Sequence, residues 1–179
     1  MESIPVDVVR MDGFFGQAET ELIRLIDHLA GYLKPLACPV DFDELTMMHN
    51  RLMAGDAARV HQEEFDIHRD GYKVHMAEQI ERGRALSQED YQEALDYQLK
   101  QRQAVESWLA EDQVMILPAT TSPPPGMETT GSPKFNSPWS FLGLPSLSVP
   151  KSTSDQGFPL CIQFVGRSVQ AVVSAARQF

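Results

Sequence analysis

Nine of the chain's twelve prolines fall between residues 118 and 159. Proline fixes φ and withholds a backbone N–H, so regular structure in that stretch is confined to the intervals between prolines. Those intervals are short and apolar. Residues 114–117, Val-Met-Ile-Leu, are continuously apolar, as in a strand covered on both faces. Leu147 and Val149 alternate with Ser146 and Ser148, and Leu160, Ile162 and Phe164 alternate with Cys161 and Gln163. This period of two predicts two further strands. Asp155 and Gly157 in the 151–157 connection suit a hairpin loop. Val169, Val172 and Val173, following Ser168, predict a short helix.

The earlier part of the chain has a different texture. Residues 4–9 are rich in β-branched side chains and suit a strand. Over residues 17–34, Ala18, Leu22, Leu25/Ile26, Leu29 and Leu33 recur at helical spacing, and Pro35 stops the helix. Residues 37–42 suit a second strand. A helix from near Asp43 repeats its apolar side through Leu45, Met48 and Leu52, with Gly55 as an expected interruption before a helical stretch over 57–68. Gly71 predicts another break, and Gly83 the end of the helix after it. Ser87-Gln88-Glu89-Asp90 is a capping signal, in which the serine oxygen accepts an orphan N–H and the acid reaches back to the cap. The helix it opens is expected to reach about Ala110, packed through Tyr91, Ala94/Leu95, Val105 and Trp108/Leu109. Together these elements predict one α/β domain over residues 1–179: a strand and helical cluster in 1–112, then strands, a proline-rich loop, a hairpin and a terminal helix in 113–179. Its end strands would be open edges.

Charge divides the chain at the same place. Residues 1–112 hold 11 basic and 23 acidic side chains, whereas 113–179 hold 4 and 2. The acidic runs read as solvated helix faces and the rest as a buried sheet. An overall charge of −10 argues against a nucleic-acid partner, whose phosphates need Lys and Arg, and against an anionic membrane surface. Cys38 and Cys161 each sit in an apolar stretch, as expected of free thiols in a reducing compartment. No apolar run is long enough for a membrane span. With no basic, apolar leader at Met1-Glu2-Ser3-Ile4-Pro5, the expected location is cytoplasmic. No P-loop or G-x-G-x-x-G is present, so no cofactor is expected, and no G-x-S-x-G nucleophile elbow either.

Several constellations invite a chemical reading. His61, His68 and His75 are spaced by seven, but there is no His-Glu-x-x-His and no cysteine cluster to close a tetrahedron, so no metal site is expected. Ser148-Val149-Pro150-Lys151 matches S-x-x-K, yet Pro150 forbids the helical turn that would return the lysine to the serine. The pairs Glu63-Glu64, Glu89-Asp90 and Glu111-Asp112 are adjacent, about 100° apart on a helix, and do not converge. The loop 118–140 is more promising, because ligands of open α/β sheets bind beyond the carboxyl ends of strands. There Thr120, Thr121 and Asn136 offer hydroxyl and amide groups, and Trp139 and Phe141 offer apolar walls. The alternative is that Thr and Asn satisfy loop backbone groups and Trp139 fills the core.

Four segments in order carry a family resemblance: Leu117-Pro118-Ala119-Thr120, Phe135-Asn136-Ser137-Pro138-Trp139, the Gly143-Leu144-Pro145-Ser146 to Pro150 run, and the Gly157-Phe158-Pro159 to Gln163 and Gly166 hairpin. Gly83 with Ser87, Asp90 and Tyr91 adds a fifth. This series resembles the C-terminal part of the amidase signature family. The resemblance implies a partial amidase-type α/β/α sandwich, with a mixed sheet and helices packed on it. It further implies amide C–N hydrolysis by a Ser–cis-Ser–Lys triad, with an oxyanion held by a Gly/Ser-rich loop. No Gly-Gly-Ser-Ser-Gly-like run and no matching lysine stand in these 179 residues. The expectation is therefore a C-terminal portion with no catalytic residue of its own, inactive alone, that supplies sheet and a pocket wall. Substrate-binding residues are expected at Thr120, Thr121, Asn136 and Trp139, for an amide-containing small molecule once the N-terminal portion is present. Truncation, a split subunit and a degenerate, non-catalytic binding protein that pairs through its open sheet edge are the alternatives. Two positions depart from the family pattern: Cys161, where many members have Gly, and Ser140, where Asn often follows the Trp.

Overall fold

The computed structural model describes residues 2–12, 18–127 and 129–179. It forms two compact units, one of Met1–Val40 with Arg102–Phe179 and one of Asp41–Gln101.

The first unit is built on a five-stranded mixed sheet. Its strands are β1 (Asp7–Asp12), β2 (Pro35–Ala37), β3 (Gln113–Pro118), β4 (Ser146–Thr153) and β5 (Pro159–Gly166), in the order β2-β1-β3-β5-β4. β1 runs parallel to both β2 and β3, whereas β5 is antiparallel to β3 and β4. Val114, Met115, Ile116 and Leu117 have no exposed surface, as a central strand with two covered faces requires. The register sets Gln163 of β5 between Leu117 of β3 and Ser148 of β4. β4 is an edge strand among the described residues, and its register shifts between Pro150 and Ser152.

Three helices belong to this unit. α1 (Thr20–Ala30) buries Leu22, Ile26 and Ala30, four residues apart, against β3 and β5. Gln17, where the sequence starts this helix, lies outside the described residues. α7 (Val169–Ala176) packs on β5, β4 and β3, and the Ser168 hydroxyl caps it by accepting from the Ala171 N–H at 3.0 Å. The third helix, α6 (Ser137–Leu142), replaces part of the loop expected over 118–140. Pro138 stands in its first turn, where a missing N–H costs nothing. Gly143 closes it at φ +69° beside the Arg102 guanidinium, a left-handed conformation that glycine adopts freely.

Two boundaries in this unit differ from the sequence reading. β1 begins at Asp7, level with Gln113 of β3, and Ile4 instead donates its N–H to the Ser174 hydroxyl at 3.0 Å. The second strand ends at Ala37, and Phe42 opens a helix because the Asp41 carboxylate accepts from the N–H groups of Asp43 (2.9 Å) and Glu44 (3.1 Å).

The second unit is helical: α2 (Phe42–Val60), α3 (Gln62–His68), a 3-10 turn at Arg69–Gly71, α4 (Val74–Arg84) and α5 (Gln88–Trp108), with the unit boundary falling inside α5. Gly55, expected to interrupt a helix, does not: α2 runs through it, and a Cβ there would lie 2.5 Å from the Tyr91 ring. α4 ends at Arg84, one residue past Gly83, where the sequence places its end. A Cβ at Gly83 would lie 1.9 Å from the Ala54 carbonyl oxygen, so both glycines are points of close packing. Phe65, Ala77 and Ile80 form a core with Ala57, Tyr72 and Met76 against it. Among the described residues no helix is long and apolar enough to cross a membrane.

Candidate ligand cleft

The chain leaving β3 builds one side of a cleft. Ala119 is held to β5 by donating its N–H to the Cys161 carbonyl at 3.1 Å, and the Thr121 carbonyl accepts from the Glu19 N–H at 2.8 Å. Between these anchors the segment turns on itself. The Thr120 hydroxyl donates to the Ser122 carbonyl at 2.8 Å, and the Ser122 hydroxyl to the Pro123 carbonyl at 3.0 Å. Three consecutive prolines, 123–125, stiffen the next part of the connection. Residues 130–132, with Pro159 and Cys161 of β5, contribute the rest of the lining of a cleft of about 330 Å³.

The expected site residues divide into two groups. Thr120 and Thr121 line this cleft; Asn136 and Trp139 are not among its lining residues. Trp139 and Phe141 are buried on α6, with Trp139 fully so, as are Pro138 and Leu142, so most of the circumference of that short helix is covered. Asn136 precedes α6 and is exposed. Its Oδ1 accepts from Nε2 of Gln163 at 3.1 Å. Gln163 itself is 2% exposed, and its Oε1 has no hydrogen-bond partner among the described residues. Alternation along β5 puts Gln163 on the same sheet face as cleft-lining Cys161. Sequence reasoning missed the roles of Pro159 and residues 130–132 in the lining, and named Gln163 as an alternating strand residue and a motif residue without its bond to Asn136.

The other constellations are dispersed. His61 is at the joint between α2 and α3, where its Nδ1 is 2.9 Å from the Tyr72 hydroxyl; His68 ends α3 and His75 lies in α4. The three therefore share no helix face. Among the described residues, no group of three or more His, Cys, Asp or Glu side chains is arranged to hold a metal ion. Ser148 and Lys151 both lie on β4, without the helical turn that S-x-x-K chemistry uses. Burial raises the Cys38 thiol pKa, partly offset by a hydrogen bond from the Val40 backbone; Cys38 lies outside the cleft lining.

Solved structures match this arrangement closely. A crystal structure of an amidase superposes with a TM-score of 0.81 at 23% identity, over 98% of this chain and 45% of the amidase. A bacterial aryl acylamidase of the amidase signature enzymes matches with a TM-score of 0.71 at 14% identity, over 97% of this chain and 42% of that one. The fold is that of amidase-signature enzymes. An inhibitor-bound vestigial protein complex, bearing on the origins of an s-triazine catabolic enzyme, matches with a TM-score of 0.81 at 16% identity, over 94% of this chain and 41% of that one. The chain thus spans less than half the length of these structures. No protein-family model and no curated protein matches the sequence.

Proposed function

We propose that residues 1–179 belong to one amidase-like hydrolase domain, for which they supply sheet strands and one wall of the substrate pocket. The observation that carries this reading is the match over 98% of this chain but only 45% of an amidase, at a TM-score of 0.81. Sequence motifs at 117–120, 135–139, 143–150 and 157–166 support it independently. In this reading Thr120 and Thr121 contact the substrate, and Asn136 and Trp139 hold the wall from behind. The attacking serine, the bridging serine and the lysine come from polypeptide outside these 179 residues, on the same chain or a second one, so the isolated segment does not hydrolyse amides. The open edges at β2 and β4 are where the remaining strands join.

The test is complementation. The purified chain is assayed for ammonia release from simple amides and for labelling by a serine-directed phosphonate, alone and with the N-terminal half of an amidase-signature enzyme. Turnover and labelling only in the mixture are expected. Turnover by the chain alone would overturn the division of labour; binding of the two halves without turnover in any pairing would favour a non-catalytic role.

A further inference from the structure

We propose that a groove on the helical unit, between α2, α3 and α4, binds a phosphoryl group between the guanidinium groups of Arg59 and Arg84. This goes beyond the hydrolase reading and does not depend on it.

Close packing of α4 on α2 sets up the groove. At Gly83 there is no room for a side chain: a Cβ would lie 1.9 Å from the Ala54 carbonyl oxygen and 2.8 Å from the Ala58 Cβ. Arg84, the next residue, therefore starts beside α2 and reaches across to α3. Its Nη1 donates to Asp66 Oδ1 at 2.6 Å and its Nη2 to the Gln62 carbonyl at 2.9 Å. The guanidinium carbon of Arg84 lies 4.9 Å from the centre of the Phe65 ring. Arg59, near the end of α2, is held by stacking, with its guanidinium carbon 4.5 Å from the centre of the Tyr91 ring. Ala58, Arg59, Gln62, Asp66 and Arg84 line a groove of about 390 Å³. Two planar cations thus border one space and are oriented by the protein itself, which lowers the ordering cost of binding.

Donors are left over on both arginines. A guanidinium carries five N–H groups. Among the described residues Arg84 uses two of them. Arg59 is 3.8 Å from Asp56 Oδ1, beyond hydrogen-bonding distance, and that oxygen already accepts from the Tyr91 hydroxyl at 2.7 Å. The remaining donors suit a phosphoryl group better than a carboxylate. One guanidinium fork satisfies both oxygens of a carboxylate. A phosphate monoester has three terminal oxygens and a charge of about −1.5 to −2 at neutral pH, enough to bridge two guanidiniums and to compete with Asp66 for Arg84.

The surroundings set the size of the ligand. Residues 41–101 hold 14 acidic and 7 basic side chains, so a chain of phosphates would be repelled outside the groove, and a single phosphoryl group is the fit. The side chains of Arg59 and Arg84 are 60% and 35% exposed, so water and salt weaken the attraction.

Phenyl phosphate, inorganic phosphate and benzoate are titrated into the full chain at constant ionic strength. Backbone amides of Arg59, Gln62 and Arg84 and the arginine Nε–H groups are followed by NMR. Both phosphates are expected to give saturable shifts and to bind at least about fivefold more tightly than benzoate. The tighter of the two assigns the site to an ester or to the free ion. Arg59→Gln is expected to weaken phenyl phosphate at least about fivefold while circular dichroism stays unchanged. Asp66→Asn removes the competing carboxylate and is expected to tighten binding about threefold, opposite in sign to the loss that a merely loosened groove would give. Shifts that do not saturate, or a benzoate response as strong as that to phosphate, overturn the site. Undiminished binding by Arg59→Gln, or unchanged or weaker binding by Asp66→Asn, overturns it as well.

Discussion

The Gln163 side-chain amide donates to Asn136 Oδ1 at 3.1 Å, joining a buried residue of β5 to an exposed residue at the start of α6. Removing the two partners has unequal consequences. Gln163→Met replaces the buried amide with an apolar chain of similar length and leaves Asn136 to water. Asn136→Ala leaves the buried amide with neither end paired, which costs about 1–3 kcal/mol. No capping bond is lost with it, because the Asn136 side chain makes none. The exposed substitution is therefore expected to destabilise more than the buried one. Urea denaturation of both variants checks the order, and a larger loss in Gln163→Met would show that the pair does not work this way.

Gly83 and Gly55 separate hard from soft contacts. A methyl at Gly83 meets the Ala54 carbonyl at 1.9 Å, and one at Gly55 meets the Tyr91 ring at 2.5 Å. A side chain can swing away, whereas helix backbone has to separate. Gly83→Ala is expected to cost about 3 kcal/mol or more, and Gly55→Ala about 1 kcal/mol. Chemical denaturation followed by helical circular dichroism distinguishes them.

Ser87 ties down the first turn of α5. Its Oγ accepts from the Asp90 N–H at 3.0 Å and donates to Asp90 Oδ2 at 2.6 Å. The acid thus takes the serine hydroxyl rather than the cap N–H expected from the sequence. Ser87→Ala is expected to cost about 1 kcal/mol. The Ser87 hydroxyl is also the main reason the Asp90 pKa is depressed, with Arg51 adding to it. A carboxylate with a depressed folded pKa stabilises the fold above its unfolded pKa and loses that contribution as pH falls through the folded one. Ser87→Ala should accordingly soften the acid limb of the stability profile, and a variant whose acid limb matches the parent would contradict this.

Tyr97 gives the alkaline limb. Burial, then the charge of Glu44 and a hydrogen bond with it, then Asp41, push its pKa up to about 12. The unfolded phenol titrates near 10. Because the folded pKa is the higher, the stabilising contribution is complete below about pH 10 and lost as pH rises through about 12. Tyr97→Phe is expected to flatten that part of the fall. Parallel unfolding curves of parent and variant across this range would refute it; tyrosinate absorbance locates the titration directly.

What could be read from the sequence depended on whether the cause was local. The continuous apolar run at 114–117 and the alternation at 160–164 are properties of neighbouring residues, and both mark strands in the structure. Gly55 misled because its reason is tertiary, the Tyr91 ring on α5; Gly83 does stand at the end of α4, but its close approach to the Ala54 carbonyl on α2 could not be read from neighbouring residues. α6 escaped notice because six residues with a proline and two aromatics carry too little periodicity to announce a helix. Of the two readings the sequence left for Trp139, a cleft wall or a core side chain, the structure shows the second. Thr120 and Thr121 were legible as cleft residues because they come directly after a buried strand. The lining at residues 130–132 depends on how a proline-stiffened connection folds, which no short pattern encodes.

The irregular register of β4 near Pro150 bears on how this molecule meets other chains. Proline offers no N–H to a newcomer, and the kinked ladder there offers no even row of hydrogen-bonding groups. An invading β-segment of arbitrary sequence therefore finds only a short landing before the pattern fails. The border of this sheet thus discriminates against promiscuous stacking.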